Sequence, residues 1–453
     1  MKHLTPQIIA EVTGGKYVGE ESARNAGVAG VARDNRDVRP GNLFVCFRGE
    51  RADGHSFANS AFDAGAACCL AEAPLPDAKG PYVLVDSTFE SIRAIGAYHR
   101  SCFAIPVVGL TGSVGKTTTK ELVAAVLGEK FRVLKTPGNL NNELGVPLTL
   151  LSLDDQHEVA VVEMGISDFG GMSRLADMVR PDIFIITSIG YAHLKELGDL
   201  NGVLRAKTEA FAYMGQSGVA VLNGDDELLR EYDPGMRKIT FGLGAHNDFR
   251  AENVRAEGTE AVLCDIASGD GRFSVKIPAY GSHHAPLAAA AAATGRLLGV
   301  ADEDIRRGFL SFAPVGGRAS VTDTGAITLI DDCYNANPSS VKAALASLSA
   351  LPGRRVAILG DMLNLGPQSE QMHREIGVFA ARSGIESLIC CGEESLFVHE
   401  GYLSGSRGSS LHFRDKSGLL AAIPELIRKG DAVLVKASRG MKFEELLPAL
   451  KGI

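Results

Sequence analysis

A glycine-rich turn between a predicted strand and a predicted helix has the most recognisable chemistry in this sequence. The apolar run at residues 106–110 predicts a buried strand, and residues 120–131 predict a helix. Glycines let the backbone approach an anion closely, and N–H groups at a helix start bind phosphate oxygens. The pattern predicts an ATP-binding phosphate loop formed by Thr111, Gly112, Ser113, Val114, Gly115, Lys116, Thr117 and Thr118.

Two side chains of this loop have specific predicted roles. Lys116 would reach the β- and γ-phosphates as a catalytic cation, and the Thr117 hydroxyl would bind Mg²⁺. The usual spacing places the first glycine where this chain has Leu110, and Gly109 is one residue out of register. Only the second half of the pattern therefore matches, although the strand and the helix flank the loop as required.

Two other classes of nucleotide enzyme lack support in the sequence. A GTPase would need a base-reading Asn-Lys-x-Asp motif, which does not occur. Asp168, Phe169 and Gly170 imitate the metal-binding motif of protein kinases, but there is no His-Arg-Asp loop, and the glycine-rich turn leads directly into a helix. We interpret the kinase match as a coincidence.

Composition limits the other function classes. A chain of 453 residues predicts about three domains, and 45% hydrophobic with 22% charged residues is typical of a globular protein. The net charge of −8 argues against a nucleic-acid partner. The eight cysteines form no Cys-x-x-Cys motif, and no apolar stretch approaches the ~20 residues that span a bilayer. With no signal-peptide pattern at the N-terminus, we expect a cytoplasmic protein without a membrane partner.

The order of predicted elements gives the fold class, α/β in three domains. Residues 1–85 mix short strands with turns and form a small domain. Residues 86–313 alternate strands and helices, which predicts a parallel sheet, with an antiparallel patch at 248–278. A linker at 314–318 then leads to a second alternating series, so that residues 314–453 form the third domain.

Seven motifs in this order resemble the Mur ligases, and with the N-terminal segment the resemblance covers nearly the whole chain. They are TGSVGKTTTKE, TPGNLNNELGVPLTLL, VVEMG, AKTEAF, IDDCYNANPSSV, LGDMLNLGPQSEQMHREIG and VLVKASRGMKFEELL. The resemblance implies a UDP-sugar-binding N-terminal domain, a central P-loop ATPase domain with a parallel sheet, and a Rossmann-like C-terminal domain that binds a dipeptide and closes over the nucleotide.

The resemblance also implies a reaction. The motifs are closest to the member that adds D-alanyl-D-alanine to UDP-N-acetylmuramoyl-tripeptide, an ATP-dependent enzyme of peptidoglycan synthesis that uses an acyl-phosphate intermediate. We separately expect a monomer. A sibling ligase or a folylpolyglutamate-type enzyme that adds a single amino acid is the alternative. The motifs DDCYNANP and LGDMLNLG, and the lack of Asp-Asn-Pro-Arg, argue against that alternative. A non-catalytic, ATP-dependent binding module is a remote third possibility.

Metal and catalytic roles follow from the resemblance. Hard Mg²⁺ prefers oxygen ligands, and Glu163 at the end of a predicted strand would supply one beside Thr117. His193 corresponds to a family histidine near a second Mg²⁺, and Lys207 to a carbamylated lysine. A lysine amine reacts with CO₂ only when neutral, which burial favours. Lys116, His193 and Lys207 are therefore the predicted catalytic residues.

Nucleotide contacts are implied for three residues of the C-terminal domain: Arg318 would touch ATP, and Asp332 and Asn335 would approach its ribose and base. The chain departs from the family at the adenine site. The family has His-Asn and, three residues later, a second Asn, where this chain has His283, His284 and Leu287. We expect His284 to take over the contact with the base.

Substrate contacts are implied at three further places. Asp34, Asn35 and Arg36 lie in the family's Asp-Ser-Arg motif, and Asp53 and His55 in its Asp-Gly-His motif, so they are expected to bind the UDP-sugar. Asn139 and Asn142 would face the phosphate or muramoyl group. At the end of a predicted strand, a substrate carboxylate would meet Lys436, Ser438 and Arg439.

Overall fold

The computed structural model describes residues 1, 3–49, 52–405 and 408–453. Three sheets follow one another along the chain, and helices accompany each of them. The prediction of a three-domain α/β fold is confirmed. Every predicted site residue is described. The N-terminal segment that contributes to the resemblance, residues 33–67, includes residues 50 and 51, which lie outside the described residues.

The first sheet contains five strands and is accompanied by three helices. The strands are β1 (Lys16–Val18), β2 (Gly30–Ala32), β3 (Asn42–Val45), β4 (Cys68–Ala71) and β5 (Tyr82–Leu84), and the helices are α1 (Pro6–Thr13), α2 (Ala58–Asp63) and α3 (Thr88–Ser101). The spatial order is β1-β5-β4-β3-β2, with β1 antiparallel to β5 and the other pairs parallel. Helix α1 begins after Thr5, whose side-chain oxygen accepts the N–H of Ile8.

The second sheet contains nine strands. They are β6 (Val107–Thr111), β7 (Val133–Lys135), β8 (Val159–Glu163), β9 (Ile183–Ile186), β10 (Val219–Asn223), β11 (Arg237–Gly242), β12 (Phe249–Glu257), β13 (Ala261–Ser268) and β14 (Gly271–Ile277). The order β14-β13-β12-β11-β10-β9-β6-β8-β7 is parallel from β7 to β12 and antiparallel from β12 to β14. The predicted antiparallel patch is confirmed, and it extends the parallel sheet.

Eight helices of the described chain belong to this central region. They are α4 (Lys116–Gly128), α5 (Gly145–Leu150), α6 (Gly171–Val179), α7 (Leu194–Leu197), α8 (Leu200–Thr208), α9 (Glu227–Glu231), α10 (His284–Leu297) and α11 (Asp302–Leu310). The alanine-rich α10 packs against α4 and over β10 to β13. Its alanines at 288–293 are fully buried, because only small side chains allow the helix to lie this close to its neighbours.

The third sheet contains six strands. The elements are β15 (Ser320–Asp323), β16 (Thr328–Asp331), β17 (Arg355–Gly360), β18 (Ser387–Cys391), β19 (Ser409–Phe413) and β20 (Ala432–Lys436), with helices α12 (Pro338–Ser349), α13 (Ser369–Arg382), α14 (Ser395–Leu403), α15 (Lys416–Leu426) and α16 (Leu447–Lys451). The order β15-β16-β20-β17-β18-β19 is parallel except at β15.

Short 3₁₀ helices of the described chain lie at Glu21–Ala23, Asn35–Asp37, Gly54–Phe57, Glu209–Tyr213, Gly366–Gln368, Arg439–Met441 and Phe443–Leu446.

Apolar contacts join neighbouring sheets. Helix α3 packs against α1 and also against α5 and α6 of the central region. Its Ile92 and Ile95 are fully buried in a core cluster that also contains Leu43 of β3 and Leu151 after α5. Within the part of the chain that the structure describes, no helix combines the length and apolar character needed to cross a membrane.

Helix α11 packs closely against α4 at Gly308. A Cβ atom at Gly308 would lie 2.6 Å from Val126 Cα and 2.8 Å from the Ala125 carbonyl oxygen. These are backbone atoms of the helix that follows the glycine-rich turn, so they cannot rotate away as a side chain would. Any larger residue at 308 would therefore have to move α11 away from α4.

Replacing Gly308 by alanine is expected to destabilise the protein by about 1–3 kcal/mol, the usual effect of overpacking. In most helices this replacement stabilises, because alanine loses less backbone entropy than glycine. Thermal unfolding followed by circular dichroism checks the sign. Gly128→Ala is the control, because a Cβ atom there meets nothing within 4 Å. A melting temperature for Gly308→Ala at or above that of the parent would contradict the close contact.

Candidate active site

The glycine-rich turn has the conformation that a phosphate loop requires. It connects β6 to α4, and Gly112 and Gly115 adopt φ angles of 153° and 86°. A Cβ atom at Gly112 would lie 1.9 Å from the Thr187 hydroxyl, so only glycine fits there. The first-turn N–H groups of α4 have no partner within the helix and are free to meet an anion.

The segment after β9 holds this loop in place. The Ser113 N–H donates to the Ser188 carbonyl at 2.9 Å, and the Val114 N–H donates to the Ser188 hydroxyl at 3.0 Å. The Ser113 hydroxyl accepts the Gly190 N–H at 2.8 Å and lies 3.0 Å from the Gly190 carbonyl oxygen, to which it donates. The loop is therefore fixed by its neighbour before any nucleotide binds.

Lys116 folds back over the loop. Its ammonium donates to the Gly112 carbonyl oxygen at 2.7 Å. Burial lowers the pKa of Lys116, the Glu163 carboxylate opposes this shift, and Arg318 adds to it. The hydrogen-bond partner of this ammonium is a neutral carbonyl oxygen, and an anion bound in the loop would give it a negatively charged partner.

The Glu163 carboxylate lies beside the loop because β8 and β6 are parallel neighbours, with Glu163 opposite Leu110. It is fully buried. The Thr117 hydroxyl donates to its two oxygens at 3.2 and 2.9 Å, and the Asn141 amide donates at 2.7 Å. Asn141 was not among the residues predicted from the sequence. Its motif, GNLNN, contains three asparagines, and only the folded chain shows which one meets the carboxylate.

Two further basic residues share this part of the site. His193 precedes α7 with a left-handed φ of 54°, and Lys207 on α8 is only 4% exposed. Among the described residues, no hydrogen bond or ion pair reaches the Lys207 amine. Burial lowers the pKa of Lys207 well below its usual value, and the charge of Lys116 lowers it further. Burial, Lys207 and Lys116 also lower the pKa of His193. The three bases are therefore electrostatically coupled.

The third domain contributes a second group of charged residues. The Lys436 ammonium donates to Asp332 at 2.6 Å and to the Asn335 carbonyl oxygen at 2.9 Å. Burial raises the pKa of Asp332, although Lys436 opposes this shift. Arg318 stacks 3.9 Å from the centre of the Tyr334 ring, with a buried Nε that has no partner in the described chain. Tyr334, which sequence analysis missed, therefore orients Arg318.

A cavity of about 660 Å³ lies between the second and third domains and brings most of the predicted residues together. Its lining includes Gly112, Ser113, Val114, Gly115, Lys116, Thr118, Asn142, Glu163, His193, Lys207, His284, Arg318, Asp332, Asn335, Lys436, Ser438 and Arg439. Thr111 and Thr117 lie directly behind it, in the strand and helix that bear the loop. Asn139 is exposed and lies outside this lining. The Asn142 side chain accepts the N–H groups of Leu144 and Gly145.

The segment in which the chain departs from the family's asparagines forms an apolar and aromatic wall of this cavity. His284 is buried, its Nδ1 lies 3.0 Å from the Gly281 carbonyl oxygen, and its ring centre is 4.3 Å from that of His283. Burial lowers the pKa values of both histidines. Leu287 packs against the phosphate loop, since a Cβ atom at Gly115 would meet its methyl carbons at 3.3 Å. In place of the family's amide, this chain has a hydrocarbon side chain.

The expected UDP-sugar residues form a separate polar group in the first domain. They follow the carboxyl ends of the parallel strands β2 and β3, where open α/β sheets bind ligands. Asp34 accepts the backbone and side-chain N–H groups of Arg36, which lower its pKa. Asn35 donates to the Ser60 hydroxyl at 3.1 Å.

Asp53 and His55 belong to a hydrogen-bonded chain in the same region. Asp53 accepts the His55 N–H at 3.0 Å, and His55 lowers the pKa of Asp53. His55 Nε2 accepts the Glu72 N–H at 2.9 Å, and Arg48 lies 3.8 Å from the Glu72 carboxylate. Arg48 and Glu72 were missed by sequence analysis, because only the parallel pairing of β3 and β4 brings them beside His55.

The kinase-like motif has a structural explanation. Asp168 pairs with Arg174 at 2.8 Å, and Phe169 lies under the Arg205 guanidinium. Glu209 accepts the N–H groups of Gly170 and Ser173 at 2.9 and 3.1 Å, which caps the start of α6. The motif is therefore a helix entry, and its resemblance to a kinase is a coincidence, as interpreted from the sequence.

Comparison with known proteins identifies the family. Sequence profiles of the Mur ligase family catalytic domain, the Mur ligase middle domain and the Mur ligase glutamate ligase domain match residues 12–88, 110–295 and 317–439. The UDP-N-acetylmuramoyl-tripeptide–D-alanyl-D-alanine ligase of Bacillus subtilis is 37% identical over 455 residues, which cover 98% of each chain. The ligase of the same name from Escherichia coli is 35% identical over 460 residues, covering 100% of this chain and 99% of the relative.

Solved structures agree with these matches. A crystal structure of MurF from Acinetobacter baumannii has a TM-score of 0.90 at 30% identity and covers 99% of both chains. MurF from Thermotoga maritima in complex with ADP has a TM-score of 0.83 at 29% identity, covering 94% of this chain and 97% of that one. Folylpolyglutamate synthase from Mycobacterium tuberculosis, at 14% identity and a TM-score of 0.62, shares the fold alone. The chain belongs to the Mur ligase family.

Proposed function

We propose that this chain is an ATP-dependent ligase that adds D-alanyl-D-alanine to UDP-N-acetylmuramoyl-tripeptide in peptidoglycan synthesis. The observation that carries the proposal is the cavity in which a phosphate loop with Lys116 and Glu163 faces Asp332 and Lys436 of the third domain. The relatives named for this reaction match the chain over nearly its full length. Neither a single-amino-acid ligase nor a non-catalytic binding module has relatives of comparable similarity among these matches.

The first step activates the acid. A carboxylate oxygen of the tripeptide attacks the γ-phosphorus of ATP, the new O–P bond forms, and the bond to the β–γ bridging oxygen breaks to release ADP. The product is an acyl phosphate, whose phosphate can leave where a free carboxylate oxygen cannot. Lys116 and the N–H groups at the start of α4 neutralise the charge on the transferred phosphoryl group. Most of the acceleration comes from this neutralisation and from alignment of the two substrates.

The second step forms the amide bond. The free amine of D-alanyl-D-alanine attacks the acyl carbon, and the C–O bond to phosphate breaks after a tetrahedral intermediate. The phosphate leaves with the electron pair, and the amine loses one proton. We assign the carboxylate of the incoming dipeptide to Lys436, Ser438 and Arg439. Ser438 is held by the Leu363 N–H, which donates to its hydroxyl at 2.9 Å, and Arg439 remains 63% exposed. Arg318, Asp332, Asn335 and His284 are assigned to the nucleotide.

The donor set beside the phosphate loop fits Mg²⁺. The Thr117 hydroxyl and the Glu163 carboxylate are hard oxygen donors within hydrogen-bond distance of each other. His193 and Lys207, the latter as a carbamate, complete the proposed ligand set. Bound Mg²⁺ would neutralise phosphate charge at this position. Carbamate formation needs a neutral amine, and burial, which lowers the pKa of Lys207, favours that neutral form.

The remaining assignments concern the substrate's distal end and the organisation of the chain. We assign the uridine diphosphate to Asp34, Asn35, Arg36, Asp53 and His55 of a domain at residues 1–85, and the adjoining muramoyl group to Asn139 and Asn142. The ATP domain spans 86–313 and the closing domain 314–453. We propose that the enzyme acts as a monomer. ATP and UDP-sugars are nucleotides of the cytoplasm, where we place the reaction.

Phosphate release tests the proposed function directly. With UDP-N-acetylmuramoyl-tripeptide, ATP and Mg²⁺ present, phosphate and ADP are expected to form over repeated turnovers only when D-alanyl-D-alanine is added, in a one-to-one ratio with the peptide product. Single amino acids serve as the control amines, and mass spectrometry identifies the product. Turnover with single amino acids but not with the dipeptide would mean that the chain is a ligase that adds a single amino acid.

Lys116→Ala is expected to lower kcat by about 100-fold or more, because the variant lacks a charged donor to the transferred phosphoryl group. ADP formation and peptide formation should fall together in the same assay. Lys130→Ala is the control, since Lys130 is exposed and donates to the carbonyl oxygens of Leu298 and Gly299. Unchanged product formation by Lys116→Ala would remove the phosphate loop from the mechanism.

Carbamylation of Lys207 makes activity depend on dissolved CO₂. In buffer stripped of CO₂ the parent enzyme is expected to lose activity and to regain it when bicarbonate is added. Lys207→Ala should be inactive and partly restored by a short carboxylic acid, which replaces the missing anion. Lys195→Ala, at an exposed lysine nearby in the chain, should behave as the parent does. Parental activity in Lys207→Ala would end the assignment.

A further inference from the structure

A second lysine of the phosphate-loop helix has no place in the mechanism above. Lys120 lies one turn after Lys116 on α4 and is fully buried. Its ammonium donates to the Thr136 carbonyl oxygen at 2.8 Å and to the Gly138 carbonyl oxygen at 3.4 Å. It also lies 2.9 Å from the Glu121 carboxylate. A buried ammonium is unfavourable unless it is paired and hydrogen-bonded, so this one is committed to its three partners.

Two of these partners, Thr136 and Gly138, lie in the segment that follows β7, and the third, Glu121, is the next residue of α4. Glu121 forms a second ion pair with Lys135, the last residue of β7, whose side chain is 48% exposed. Lys120 reaches over the buried side of the same segment, at Thr136 and Gly138. The two lysines thus share one carboxylate, but only Lys120 also binds the main chain of the segment.

The same segment surrounds Glu163. The Thr136 hydroxyl accepts the Glu163 N–H at 2.9 Å, and the Asn141 amide donates to the Glu163 carboxylate at 2.7 Å. The Asn141 carbonyl oxygen accepts the Gly165 N–H at 2.7 Å, just beyond Glu163. Thr136 and Asn141, which orient Glu163, therefore lie in a segment whose first residues are bound to Lys120.

We propose that Lys120 is a positioning residue for Glu163, and that it acts through the main chain of residues 136–138. It ties the phosphate-loop helix to the segment that carries Asn141, so that the Thr117 hydroxyl and the Glu163 carboxylate keep a fixed separation. The inference rests on the proposed role of Glu163 as a ligand of Mg²⁺. Lys120 touches neither substrate nor metal.

Lys120→Met tests the proposal, because methionine fills the space of the lysine stem without a donor. The Mg²⁺ concentration that gives half-maximal activity is expected to rise about tenfold, as for loss of other groups that orient metal ligands. The KM for ATP, measured at saturating Mg²⁺, should change much less. Lys135→Met is the matched control: it removes the other cation from Glu121 at an exposed position, and should shift the Mg²⁺ requirement by less than about twofold.

Three further variants separate the possible outcomes. Glu163→Gln must itself raise the Mg²⁺ requirement; if it does and Lys120→Met does not, the positioning role fails while the proposed function stands. If Glu163→Gln leaves the requirement unchanged, the assignment of Glu163 fails first.

Lys120→Met/Glu121→Gln should keep the raised Mg²⁺ requirement, whereas recovery of the parental requirement would mean that an unpaired Glu121 caused the rise. Lys120→Gln retains N–H donors and should show a smaller shift than Lys120→Met. If both single variants at 120 lose their fold while Lys135→Met keeps it, the lysine is structural and the proposal is wrong.

Discussion

The Glu163 carboxylate is the constraint on which the rest of the site depends. It is fully buried, and a carboxylate in that position requires donors. The fold supplies them from two directions: the Thr117 hydroxyl from the helix after β6, and the Asn141 amide from the segment after β7. Because β6 and β8 are parallel neighbours, the phosphate loop and the carboxylate emerge at the same sheet edge. The geometry of the phosphate site is thus a property of strand order.

Much of the fold was predictable because its signals are local. The apolar run before Thr111 and the turn through Gly115 indicate a strand and a helix start without reference to any other part of the chain. The antiparallel patch was also visible in the sequence. That it completes the parallel sheet through the pairing of β11 and β12 was not, because register between distant strands is decided by tertiary packing.

The site residues were less predictable wherever a role depends on the direction in which a side chain points in the folded chain. Asn139, Asn141 and Asn142 are equivalent in the sequence, yet Asn139 lies outside the cavity lining, Asn141 meets the buried carboxylate and Asn142 caps the start of α5. Tyr334 gave no signal, because an aromatic residue that stacks on an arginine resembles one that fills a core. Leu287 was recognised as a departure, but its packing against Gly115 follows only from the position of α10.

Helix α3 gives the N-terminal domain a fixed distance from the phosphate site. The same helix packs against α1 on one side and against α5 and α6 on the other, and Ile95 is buried between them. A hinge at this junction would have to expose that shared core. A substrate held by its uridine end in the first domain would therefore have to span a fixed distance to the phosphate site. The length of its sugar and peptide, and not side-chain recognition alone, would then decide which carboxylate reaches the nucleotide.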